Sequence, residues 1–142
     1  MASQLNCNKT IHFVFDEESK FAKIEWKGDY ISFGKAKLDY KKAFRESIEE
    51  LNMESNAKLK YKNALGFPSD SIIQVVVRIE KVVWGFGLSS ALMETELVYK
   101  LPERKINIIG NNKVYMAGNT KRNLFKTLKH GNYQLLSIIC DE

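Results

Sequence analysis

The sequence predicts an α+β domain, a two-layer sandwich in which two helices pack on one face of a mostly antiparallel sheet. Three stretches carry that prediction. In Ser71–Gly87, SIIQVVVRIEKVVWGFG, Ile73, Val75, Val77 and Ile79 alternate with Gln74, Val76, Arg78 and Glu80. In Ser90–Leu101, Ala91, Met93, Thr95, Leu97, Tyr99 and Leu101 form one face against Glu94, Glu96 and Lys100 on the other. A period of two is the pattern of a half-buried strand. After Asp39 the period changes: Tyr40, Phe44, Ile48 and Leu51 recur at helical spacing, which is one apolar helix stripe.

The totals agree with one globular domain over residues 1–142. The chain is long enough to bury a core without disulfides or metals. Residues 1–9 are expected to be flexible. The net charge of +5 favours anionic partners, although lysines also keep small domains soluble. The two cysteines, Cys7 and Cys140, lie near opposite ends, and two thiols in a well-cored chain read as free and structural. No apolar run is long enough for a transmembrane helix. The start, MASQLNCNKT, has no signal-peptide core. The expected location is periplasm or envelope if a signal has been removed, and cytoplasm otherwise.

Taken in order, Thr10–Phe15 reads as a first strand, with Ile11, Phe13 and Phe15 on one face. Asp16–Ser19 is a polar turn, Phe21–Trp26 a shorter strand, Lys27–Asp29 a turn, and Tyr30–Gly34 a weak extended piece. Asp39 is the expected N-cap of the first helix, because its carboxylate can accept unpaired backbone N–H groups. Glu54–Ser69 reads as a lysine-guarded edge strand, a helical extension or a loop. The central strand then starts, and its pattern slips near Glu80–Val83, where a bulge is expected. A hairpin joins it to Ser90–Leu101. Lys105–Ile109 and Lys113–Met116 flank Gly110-Asn111-Asn112 and make either a small hairpin or one interrupted strand. Asn119 or Thr120 caps a second helix, TKRNLFKTLKH. Gly131 reads as its stop, with Tyr133–Cys140 as a last strand and a continued helix as the alternative.

No constellation for chemistry stands out. His12, His130, Cys7 and Cys140 are scattered, without the spacing of a metal site, so neither metal nor cofactor is expected. The sequence has no GxSxG. Glu94 and Glu96 share a wet strand face rather than opposite walls of a cleft. Trp84-Gly85-Phe86-Gly87 lacks the third glycine of a dinucleotide loop and reads as a strand-end turn. The strongest functional hint is basic: Lys121, Arg122, Lys126, Lys129 and His130 crowd the second helix with no acid among them. Such a patch can hold phosphates of nucleic acid or of anionic lipid, and Lys58, Lys60 and Lys62 can add to it. Phe33, Tyr61, Phe67, Trp84, Phe86, Tyr99 and Tyr115 could line a small-molecule pocket, or simply pack the core.

The stretches LDYKKAFRESIEELN, SIIQVVVRIEKVVWGFG, SALMETELVYKL and TKRNLFKTLKH run in an order that resembles a compact domain of bacterial envelope proteins. That domain is the amino-terminal domain of the Tol-system propeller protein, with kin among small outer-membrane lipoproteins. The resemblance covers roughly Thr10–Ile139 by element order. It implies a non-catalytic binding or assembly module of an envelope, with a protein partner, and no functional residue follows from it. Two alternatives are a polyanion-binding module using the basic helix, and a ligand-binding domain or enzyme with an aromatic pocket.

Overall fold

The computed structural model describes residues 7–28, 38–86, 90–115 and 120–141. The readings for Tyr30–Gly34, Asn119 and the Gly87–Ser89 connection lie outside the described residues. The strands are β1 (Thr10–Phe15), β2 (Lys23–Gly28), β3 (Lys58–Lys62), β4 (Ile72–Phe86), β5 (Ser90–Lys100) and β6 (Lys105–Tyr115). The helices are α1 (Tyr40–Glu54) and α2 (Thr120–Cys140). Among the described residues, one sheet holds six strands in the order β3-β1-β4-β5-β6, with β2 also paired to β4. Both helices cover the same face, α1 against β3 and α2 against β5 and β6.

β4 is the axis of the sheet. Its first half pairs with β1 and its second half with β2, both in parallel. β1 and β2 therefore behave as one strand interrupted by a 3-10 turn, Glu17–Phe21. The turn mends the interruption itself. The Asp16 N–H donates to Val77 O at 2.8 Å, and buried Ser19 Oγ accepts the Ile79 N–H at 2.9 Å. On the other side, the β4–β5 ladder skips a residue between Ile79 and Lys81. This is the expected bulge. It turns Val82 and Trp84 into the core, where the alternation would have put Lys81.

The two-layer α+β sandwich is the fold expected, and its sheet is mixed rather than purely antiparallel. β4, β5 and β6 are antiparallel neighbours, while β1 runs parallel to both β3 and β4. Two crossovers cause this. The chain returns through α1 to reach β3 on the helical face. From β3 it crosses back toward β4 through residues 63–71, which meet Gln74 on the opposite face. Reversing both direction and face preserves the hand, as right-handed crossovers require. β3 is the edge strand that its alternating lysines suggested. β6 pairs with β5 along its full length, so it is one unbroken strand rather than a hairpin.

α1 starts as expected, with the Asp39 carboxylate accepting the Lys42 N–H at 3.0 Å. Phe44, Ile48 and Leu51 are buried, each contributing about 1.5–3 kcal/mol. Phe44 packs edge-on to Phe13 and Tyr61.

α2 does not break at Gly131, and no last strand follows. It continues to Cys140 and buries Leu135, Leu136 and Ile139. Gly131 is needed for contact, not for termination. A Cβ there would overlap Leu97 Cδ1, and a Cβ on Gly110 would overlap the carbonyl of Thr127. The two glycines let helix and sheet approach where they cross.

The free-thiol reading is also corrected. Cys7 and Cys140 form a disulfide, with Cα atoms 5.3 Å apart. The segment before β1 and the end of α2 meet at one end of the molecule, where Lys9 Nζ also donates to Ile139 O at 2.6 Å. Cys7 is buried, so the flexible start predicted for residues 1–9 does not extend to it.

Candidate functional site

Two of the five basic residues of α2, Lys129 and His130, bond to other elements of the fold. Lys129 Nζ donates to Glu50 at 2.6 Å and to Glu54 at 2.8 Å, so it joins α2 to α1. Burial pulls its ammonium down, but the two carboxylates outweigh that and hold it above the ordinary lysine value. Hydrogen bonding from Lys129 correspondingly lowers the Glu50 carboxyl. His130 Nδ1 accepts the Asn111 N–H at 3.1 Å, and Gln134 Nε2 donates to Ile109 O at 3.0 Å. Those contacts tie α2 to β6. Lys121 and Arg122 border a hollow shared with Glu46, Glu49 and Glu50, so acids of α1 offset them. Lys126 lines a second, shallow hollow of about 580 Å³ with Lys113, His130 and Tyr133.

The opposite face of the sheet carries more uniform charge. No helix covers it. Strand register places its side chains in rows. One row reads Lys62, Val14, Val76, Lys100 and Lys105 across five strands. The next two read Lys60, His12, Gln74 and Lys58, Thr10, Ile72. These rows hold five lysines and no carboxylate. His12 shows the resulting field: burial lowers its imidazole, and Lys62 and Lys60 lower it further. The other half of this face is balanced. Lys81 meets Glu25 at 2.5 Å and Glu96 at 3.9 Å, and Arg78 pairs with Glu80.

Residues 63–71 lie beside the lysine rows, and every one is exposed. Phe67 is 94% exposed and Leu65 58%. Gln74 grips the loop at its tip: its Oε1 accepts the Gly66 N–H at 2.7 Å. Its Nε2 donates to Gly66 O and to Phe67 O, each at 3.2 Å. The sequence shows the lysine alternation of KLKYK. It does not show that Lys100 and Lys105 share a row with Lys62, because that depends on pairing across five strands. Nor does ALGFP show that its two large apolar residues stay outside.

Tyr99 and Trp84, for which pocket lining and core packing both stood open, are buried in the core. Among the described residues, no group of three or more His, Cys, Asp or Glu side chains converges in metal-binding geometry. Among the same residues, no helix is long and apolar enough to cross a membrane.

No family model matches this chain, and no curated protein matches it. Some solved structures align with it along most of their length. A crystal structure of an uncharacterized protein aligns with a TM-score of 0.44 at 11% identity, covering 97% of this chain and 94% of that one. A neuraminyllactose-binding hemagglutinin homolog from Helicobacter pylori aligns at 0.42 and 13%, covering 98% and 85%. A ribosomal subunit interface protein from Coxiella burnetii aligns at 0.33 and 10%, covering 94% and 99%. At these values the likenesses carry no functional argument.

Proposed function

We propose that this chain is a non-catalytic binding module that works outside the cytoplasm, in a bacterial envelope, and binds an anionic partner through the lysine-bearing half of its open sheet face. One observation carries the reading: five lysines occupy three adjacent rows with no carboxylate between them. A face built this way attracts anions over a distance and presents them with a flat array of donors. The Cys7–Cys140 bond supports the compartment, because structural disulfides persist where the environment is oxidising.

Retention on immobilised heparin, a model polyanion, tests it. The variant Lys58→Glu/Lys60→Glu/Lys62→Glu should elute at much lower salt than the parent, while Lys126→Glu should elute close to it. The reverse order would move the binding surface to α2. That second reading is favoured by the hollow that Lys113, Lys126, His130 and Tyr133 line. Fractionation of the native host, with a thiol assay on the isolated protein, tests the compartment. A reduced protein confined to the cytosol would reject it.

A further inference from the structure

We propose that residues 63–70 form a membrane-docking loop, in which Leu65 and Phe67 enter the interface of an anionic bilayer while Lys58, Lys60 and Lys62 meet its headgroups. This rests on the reading of the open face as anion-binding, and it names the partner.

Three observations converge. The first is exposure: Phe67 at 94% and Leu65 at 58% stand in water on one short loop. Large apolar side chains held outward beside cations match an interface whose headgroups are anionic and whose next layer is hydrocarbon.

The second is backbone pairing. Peptide groups that leave water need partners already in place. The Gln74 amide supplies three at the tip: it accepts the Gly66 N–H and donates to the carbonyls of Gly66 and Phe67. The loop can therefore leave water with those polar groups already paired.

The third is placement. Gln74 shares a row with His12 and Lys60, so the tip of the loop is held beside the lysine-bearing rows. The loop's single acid, Asp70, lies beyond Phe67, next to the Ser69–Ser71 hydroxyl contact.

A nucleic acid would use the same cations and could stack on Phe67. It would gain little from Leu65, which has no flat face for a base. The disulfide also favours an oxidising compartment, away from the nucleic acid of the cytoplasm.

The test is sedimentation with two kinds of vesicle: phosphatidylcholine alone, and equal parts phosphatidylcholine and phosphatidylglycerol. The parent chain should sediment with the mixed vesicles only. Leu65→Ser/Phe67→Ser should lower that affinity about tenfold or more, and each lysine neutralised to Gln about fivefold. Gln74→Ala should weaken vesicle binding by a larger factor than heparin retention. In Phe67→Trp, the added emission should shift to the blue on mixed vesicles.

Sedimentation without that shift would mean binding by charge alone, and would overturn insertion. A shift produced by an oligonucleotide but not by vesicles would give the loop to nucleic acid instead. Heparin retention with no vesicle binding would overturn the loop proposal alone. Loss of both would overturn the reading of the face as well.

Discussion

The Tyr99 hydroxyl donates to Asn132 Oδ1 at 2.7 Å, deep between β5 and α2. Asn132 in turn donates to Ser47 Oγ on α1 at 2.9 Å, and Ser47 donates to Phe44 O at 2.6 Å. All three side chains are fully buried. One polar chain thus links the sheet to both helices and fixes their alignment, which apolar packing alone sets less sharply.

Removing one member leaves the next unpaired. Tyr99→Phe strips Asn132 of its donor and should cost about 1–3 kcal/mol, measured by urea denaturation. Asn132→Leu should cost at least as much. The double variant should cost less than the sum, because each change removes the other's unmet partner.

The same tyrosine should shape alkaline unfolding. Burial raises its hydroxyl well above the ordinary tyrosine value. A raised native value gives stability that is fully present below the unfolded value, about pH 10, and is lost as pH rises above it. Tyr99→Phe should flatten that alkaline decline in a pH series of denaturation midpoints. An unchanged slope would place the effect elsewhere.

Lysines on the open face should be visible through His12. Burial, Lys62 and Lys60 lower its imidazole, so the unfolded chain takes up the proton first as pH falls. The stability linked to His12 is present above about pH 6.5 and is lost as pH falls toward the native value. Lys60→Glu/Lys62→Glu should raise the native titration midpoint, read from the ring proton shifts of His12 by NMR. Burial remains, so the recovery should be partial.

The two crossing glycines should differ in their tolerance of alanine. At Gly110 the added methyl meets the main-chain carbonyl of Thr127, which cannot move without shifting the helix. At Gly131 it meets the end of the Leu97 side chain, which can turn aside. Alanine also favours a helix by about 1 kcal/mol over glycine. Gly110→Ala should therefore lower the melting temperature clearly more than Gly131→Ala.

These positions also show where local sequence stops informing. The β4 bulge, the β5 alternation, the Asp39 cap and the α1 stripe are legible because each is set within a few residues. Gly131 misleads because a helix stop and a helix–sheet contact both call for a missing Cβ, and only the position of Leu97 separates them. The parallel pairing of β1 with β3 and β4 depends on which face each crossover takes, which no local pattern records. The site follows the same division. The lysines of β3 can be read in advance, but their joining with Lys100 and Lys105 depends on register.

The disulfide carries one more consequence, a mechanical one. Cys7 and Cys140 are separated by 133 positions in sequence, yet their Cα atoms lie 5.3 Å apart. Everything between them is a closed covalent ring. Tension applied beyond the two cysteines would run through the sulfur bridge and bypass the β-sheet. Stretched in an oxidised state between handles at its ends, the protein should lengthen by almost nothing. Once reduced, it should unravel along the whole enclosed length.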